Sequence, residues 1–476
     1  MDSNERLVMG GLSASPKSGF WASLKESLRG TEQDFTEGSL HRAVGLLAVP
    51  MVIETIGESL FAIADAFWVA RLGSDSLAAV GLTESMLEII YAVAIGLAMS
   101  TTAMVARRIG EKNEEAAARA AVQAIGIGLV LAAVLGTAGA VFAPDLLALM
   151  GASPGTVAAG ATYTRVLYGG MVTVLLLFLN NAIFRGAGDA TTAMRALWIA
   201  NGINLVMDPC LVFGLGPFPE MGLVGAAIGT NIGRGAGVLY QFWEFRRSPR
   251  IRIRKKDLGL EPDVIRRLLR LSAGGISQLL VATLSYVVLI RLLAGFGSAV
   301  LAGYVVAIRT VLFIILPAWG LSNAASTLVG QNLGAGRPDR AEKSVWITGL
   351  WNMGFMAVVT LLIVAGARSI VAVFIDDPQS SPVGVEALTI ISYGYVFYAW
   401  GMVMMQAFNG AGDTATPTWI NVACFWFFEI PVAYLLSGPL GMGPTGVFWA
   451  ISVSYSVSAV IGILLFRRGT WKTRKV

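Results

Sequence analysis

Long apolar runs broken by short polar punctuation set the pattern of this chain. Gly126 to Leu147, Leu279 to Leu293 and Trp351 to Ala365 are nearly free of charged side chains. A hydrocarbon core about 30 Å thick needs about 20 such residues per helix. Window by window, the pattern predicts twelve helical spans, near 43–70, 79–105, 116–143, 155–182, 190–214, 221–245, 264–294, 303–329, 340–366, 384–409, 414–437 and 444–466. A transmembrane β-barrel would instead alternate apolar and polar positions over segments of about ten residues. The expected fold class is an all-α polytopic membrane protein.

Composition agrees. The 476 residues are 55% hydrophobic and 14% charged, against about a quarter charged in an ordinary soluble domain, and the mean hydropathy is +0.68. Cys210 and Cys424 fall inside expected spans and read as free thiols. The lone His41 sits at a helix start, so neither a paired-His metal centre nor a Ser–His catalytic set is on offer. An enzyme and a bound cofactor are therefore not expected. The first 40 residues are polar and carry no leader-like apolar core after a basic stretch. Phe20, Trp21, Leu24 and Leu28 share a helical face opposite Lys25 and Arg29, which suits either a short helix on the membrane surface or an unstructured tail.

Charge then orients the spans. From Arg246 to Arg270 there are ten Arg or Lys against three acids, and an excess of positive charge marks cytoplasmic connections. Arg107, Arg108 and Lys112, their counterparts Arg337, Arg340 and Lys343, and the tail "RRGTWKTRKV" fit the same side. Both ends are thus expected in the cytoplasm. The net charge of +5 is a topology signal and implies no nucleic-acid partner.

A repeat organises the rest. "FRGAGD" at Phe184 to Asp189 returns as "FNGAGD" at Phe408 to Asp413, 224 positions on. At the same offset Gly73, Ser74, Leu77 and Ala78 recur as Gly297, Ser298, Leu301 and Ala302. Gly96 recurs as Gly320, Gly110 as Gly334 and Gly222 as Gly446. Two six-helix halves running the same way follow, related by an axis along the membrane normal. The division expected is a polar segment 1–40, a first lobe 41–245, a basic connector 246–263, a second lobe 264–468 and a basic tail 469–476. The glycines of the repeated phrase suit a tight turn and its aspartate a helix cap, a structural role.

Two facing half-bundles suit alternating access around a midplane site. Function should sit where the halves differ, and acids inside spans are informative because each costs about 2.5 to 3.5 kcal/mol at the bilayer centre. Glu54, Glu58 and Asp65 lie in span one, Glu84 and Glu88 in span two and Asp208 in span five. Their partners by offset are Gln278, Ala282, Leu289, Ile308, Leu312 and Val432, none acidic. The second half offers Glu429, opposite Leu205. Glu54, Glu58 and Asp65 fall within about 60° of one another on a helix. Asn204 and Asp208 share a face of span five, Pro209 frees the carbonyl of Leu205, and Thr230 of span six could add a hydroxyl. Asp65 and Asp208 facing one cavity would recruit a proton or a cation such as Na+. Other roles stay open: Asp65 and Asp208 as buried ties between helices, Glu84 and Glu88 as hydrated surface acids, Arg234 as a static counter-ion.

"FAIADAFWVARLGSDSLAAVGL", "ARRIGEKNEEAA", its counterpart "GQNLGAGRPDRAEKS", the paired "GAGD" and "NLVMDP" together resemble the multidrug and toxic compound extrusion (MATE) family over roughly residues 40 to 468. The resemblance implies a V-shaped antiporter in a prokaryotic inner membrane, working as a monomer among membrane lipids. It would expel small organic, often cationic and amphipathic compounds against inflowing H+ or Na+. The chain looks closest to the DinF-type branch, whose coupling residues match Asp65, Asn204, Asp208 and Thr230. The NorM-type branch places further acids where this chain has Ala282 and Tyr398. The alternative within transport is a flippase for a lipid-linked precursor, which would want a basic cavity; Arg165, Arg234, Arg291 and Arg309 are the few candidates.

Overall fold

A computed structural model describes residues 26–28, 30, 34–248, 250–375, 377–474 and 476. The surface helix expected around Phe20 lies, Leu28 apart, outside these residues. Among the described residues all regular structure is helical. The first half comprises α1 (Leu40–Val69), α2 (Ser74–Gly110), α3 (Glu114–Val141), the short α4 (Ala143–Leu149), α5 (Pro154–Gly169), α6 (Met171–Ala187), α7 (Ala190–Phe213) and α8 (Leu223–Arg247). The second comprises α9 (Pro262–Ala294), α10 (Ser298–Gly334), α11 (Pro338–Ala372), α12 (Ser380–Tyr393), α13 (Tyr395–Gly410), α14 (Ala415–Asn421), a π-helical turn (Val422–Glu429), α15 (Ile430–Ser437) and α16 (Pro444–Arg467).

Among the described residues nine helices are long and apolar enough to cross a membrane, and up to eleven spans result if each of two bent pairs is one span. Expected spans four and ten are those pairs, α5–α6 bent by 44° and α12–α13 by 54°. The place of expected span six is taken by α8, which misses the apolarity criterion because glycines, Asn231 and Arg234 interrupt it. Expected span eleven is split by the π-turn, just before Pro431, which has no backbone N–H to give.

That turn inserts a residue and raises the offset to 225, and the shorter loop after it lowers the offset to 221 at the start of the last helix. A Cβ on Gly225 would lie 2.5 Å from the Leu211 carbonyl oxygen, and one on Gly446 2.7 Å from the Leu436 carbonyl carbon. Gly222 and Gly443 open the last helix of each half with φ of 53° and 57°. In space Gly222 therefore answers to Gly443, not to the expected Gly446, and Asn204 rather than Leu205 stands opposite Glu429.

Each half has its own apolar core, one drawn from Val69 to Ala227 and another from Leu289 to Ile451. A third cluster joins them, packing Ala43, Leu47 and Met51 of α1 against Leu321, Ala324 and Leu328 of α10. The backbones of the two halves meet at the C-terminal ends of α2 and α10. There a Cβ on Gly110 would overlap the Gln331 carbonyl, and one on Gly334 the Arg107 carbonyl. Only glycine lets the two backbones meet.

The repeated phrase ends its helix with a left-handed glycine in both copies, Gly188 at φ 86° and Gly412 at φ 82°. Asp189 accepts from the Thr192 N–H at 3.0 Å and Asp413 from the Thr416 N–H at 3.3 Å, the capping role expected. Each phrase also seats a terminal segment: Phe35 packs on Gly188, and Val476 on Gly412. Both segments bridge the halves. Arg337 donates to the Thr36 carbonyl at 2.6 Å, while Arg107 reaches the Arg474 carbonyl at 2.6 Å and Arg108 the Val476 oxygen at 2.9 Å.

Gly110→Ala should lower the midpoint of thermal unfolding in detergent, since overpacking a tight contact costs about 1–3 kcal/mol. Gly126→Ala, with nothing within 4 Å of the added methyl, should leave the midpoint unchanged. Equal midpoints for the two variants would refute the contact.

Candidate functional site

The site is built where α7 meets α8. The sequence of α8 places glycine at every fourth position, Gly225, Gly229, Gly233 and Gly237. A Cβ on Gly229 would overlap Asp208 Oδ1, and one on Gly233 the Ala200 carbonyl. Small residues at this spacing let two helices in lipid pack backbone to backbone. Here they also make room for a carboxylate between them. The four-residue spacing is visible in the sequence and is the signal that would have found this interface.

Asn204 and Asp208, one turn apart on α7, are 2% and 1% exposed. The Asn204 amide donates to Asp208 Oδ1 at 3.0 Å and to Thr230 Oγ1, on α8, at 3.1 Å. Asp65 comes from α1, with its carboxyl within hydrogen-bonding reach of Asp208. The four residues are brought together, but only Asp65 and Thr230 line the cavity between the halves; Asn204 and Asp208 lie buried behind it, so Asp65 and Asp208 do not both face it as expected. Asp208 Oδ2 and Asn204 Oδ1 are buried without a donor among the described residues. Two carboxylates, an amide and a hydroxyl form an oxygen-only set with spare acceptors, which suits a proton or a hard monovalent cation such as Na+. Among the described residues no group of three or more His, Cys, Asp or Glu is placed to hold a metal.

The other acids separate. Glu54 is buried and paired, accepting from Arg185 at 3.1 Å and Asn181 at 3.0 Å, with its second oxygen unpartnered. Glu58 and Glu84 line the same cavity as Asp65, whereas Glu88 is exposed outside it. Arg234 makes no ion pair among the described residues and instead donates to the Tyr91 hydroxyl at 3.2 Å. It is therefore not locked to a single acid but shares the cavity wall with Glu58, Asp65 and Glu84. Arg185 was legible only as part of the structural phrase, yet it reaches the cavity wall, and its backbone carbonyl accepts from Thr327 of α10 at 3.0 Å. Nothing local in the sequence announces that pairing across 131 positions with Glu54. Glu429 is buried in the π-turn, away from this cavity.

The cavity has a volume of about 580 Å³ and lies between the halves. It runs along α2 from Glu84 to Thr102, stopping before the Gly110–Gln331 contact closes the bundle. Its first-half wall carries Glu54, Glu58, Asp65 and Glu84 with Arg185 and Arg234. The second-half wall carries no charge, offering Asn323, Ser326, Thr327 and Gln406. Phe61, Tyr91, Tyr163, Phe178 and Trp319 supply aromatic surface.

The sequence matches the MatE family model over residues 50–210 and again over 276–435. It is 25% identical over 450 residues to the probable multidrug resistance protein YoeA of Bacillus subtilis, covering 93% of this chain and 97% of that one. An outward-facing structure of a multidrug resistance MATE family transporter of the MOP superfamily superimposes with a TM-score of 0.86 at 26% identity, over 92% of this chain and 98% of that one. A MOP superfamily transporter from Pyrococcus furiosus, described as having a binding pocket of reverse polarity, superimposes with a TM-score of 0.85 at 26% identity over 92% and 98% of the two chains. With a polytopic helical fold, a cavity between two halves and a family match on each half, this chain belongs to the MatE family of membrane transporters.

Proposed function

We propose that this protein is a secondary antiporter that exports amphipathic organic cations in exchange for H+ or Na+. Both ends of the chain would face the cytoplasm across an inner membrane. The observation that carries the reading is the Asp65–Asp208 pair: Asp65 and Thr230 line a cavity shared by both halves, and Asp208, held by Asn204, lies buried directly behind them. Two carboxyls so placed repel when both are charged, so a proton or a cation entering between them relieves the strain. Asp65 belongs to α1, which also packs against α10 of the other half. Neutralising it changes the packing of the helix that joins the halves. Four acids against two arginines, one of them committed to Glu54, leave the cavity attractive to a positive substrate. The same count argues against a lipid-linked pyrophosphate, because Arg165, Arg291 and Arg309 lie outside the lining. The quartet also supports placement in the DinF-type branch.

Coupling and substrate binding compete for one region, so the cycle is an exchange. Ion entry displaces the cation from the acid-lined wall, and substrate entry expels the ion. Alternating access then needs only that the two loaded states prefer different sides.

In proteoliposomes with separately imposed pH and sodium gradients, one gradient should drive efflux of an organic cation and the other should not. Asp65→Asn should still bind that cation but lose gradient-driven movement by at least about 100-fold; full coupled transport by a folded Asp65→Asn protein defeats the assignment. Gly229→Ala should push the Asp208 carboxylate out of its seat and reduce coupled transport about tenfold or more, with cation binding within about threefold of the unmodified protein. Unchanged coupling in that variant would remove Asp208 from the mechanism.

A further inference from the structure

We infer that the uncharged second-half wall of the cavity is a hydrogen-bond donor pole, and that preferred substrates pair a cationic centre with an acceptor oxygen or aromatic nitrogen at their far end. The inference rests on the export reading above and adds the chemistry of the substrate's second pole.

The argument is the direction of a chain of amides. Asn409, on α13, places its Nδ2 3.8 Å from the Met99 sulfur and 3.3 Å from Gln406 Oε1. A thioether accepts weakly and cannot donate, which favours the nitrogen on that side and leaves Asn409 Oδ1 buried without a donor among the described residues. Gln406 then has its oxygen occupied and presents Nε2, which donates to Asn323 Oδ1 at 2.5 Å. Reversing Asn323 would set two donors against each other. Its carbonyl is therefore consumed, and the Nδ2 with two N–H groups is left to the cavity that Asn323 lines. Among the described residues it donates to no protein acceptor. Thr327 spends its one proton on the Arg185 carbonyl and keeps only acceptor capacity, so the donor character of this wall rests on Asn323.

The first-half wall of the same cavity carries Glu58, Asp65 and Glu84. A cation with a wholly hydrocarbon body would satisfy the acids and leave the Asn323 N–H groups facing apolar surface. A cation carrying an ether or carbonyl oxygen satisfies both walls. Sites built to hydrogen-bond a substrate discriminate against analogues that lack the partner, because their own polar group is left unpaired. Trp319, on the same helix as Asn323, gives the body of either ligand a flat apolar surface.

Two quaternary probes separate the poles: berberine, with ether oxygens and no N–H, and tetraphenylphosphonium, with neither. Their affinities are measured on one detergent-purified preparation, so any loss of folded protein cancels in the ratio. Asn323→Leu removes the donor, and Asn323→Asp keeps the size and the acceptor for Gln406 while removing the N–H groups. In both, the affinity for berberine relative to tetraphenylphosphonium should fall about fivefold to tenfold. The charge added in Asn323→Asp acts on both cations and leaves the ratio readable. A ratio unchanged in both variants, or changed only in Asn323→Leu, overturns the donor pole. If the ratio stays fixed while the unmodified protein still exports tetraphenylphosphonium down a gradient, the export reading survives alone; if the unmodified protein binds neither probe, both readings fall.

Discussion

A carboxylate can be held inside a bilayer only if something replaces the water it gives up, and here a glycine edge does so by exclusion. Asp208 is pressed against Gly229 so closely that no side chain fits between them. Asn204 satisfies one of its oxygens and is itself consumed between Asp208 and Thr230. The second oxygen has no donor among the described residues. The protein thus supplies a seat that is incomplete by one positive charge or one proton. An incompletely satisfied buried polar group is costly by about 1–3 kcal/mol or more for a charge, and that cost is the lever an ion can act upon.

The twin halves divide the labour. Where the first half pairs Glu54 with Arg185, the second holds Gln278 and Asn409 at the corresponding positions, with the Gln278 carbonyl accepting from Asn421 at 3.1 Å. Where the first half opposes Asp65 to Asp208, the second has Leu289 and, after the π-turn, Ala433, both buried. Replacing a buried ion pair by neutral groups of similar size is often no loss of stability. One architecture therefore tolerates a charged lobe and a neutral one. The charged lobe carries the proposed ion site, and the neutral lobe offers an uncharged wall opposite it.

Much of this stands in the sequence because it is local or periodic. Span positions follow from apolar runs, and the acid asymmetry from a single offset. Asn204 and Asp208 sit one turn apart, so a helix alone puts them together. What the sequence hides is long-range or geometric. The Glu54–Arg185 pair needs α1 and α6 to be neighbours, which no periodicity states. The slip is one extra residue at the π-turn followed by a loop four residues shorter, both invisible to a repeat that still matches Gly222 to Gly446 by letter. The seating of Phe35 and Val476 on the two repeated phrases depends on where the chain returns after the bundle has formed.

Those terminal contacts constrain how the other side could open. Arg337 to Thr36, Arg107 to Arg474 and Arg108 to Val476 each join the halves on the side where α2 meets α10. Hydrogen bonds from charged donors contribute about 1.5–3 kcal/mol each when dry, and less at a wetted surface. A single charge moved through 100 mV supplies about 2.3 kcal/mol. Breaking all three dry would ask more than that, whereas at a wetted surface their sum falls to about the same size. Separation is then least costly if each terminal segment travels with the half it packs on: Phe35 with Gly188, and Val476 with Gly412. That course keeps both apolar seats intact and exchanges only the wetted arginine contacts for water, whose cost lies within reach of the ion.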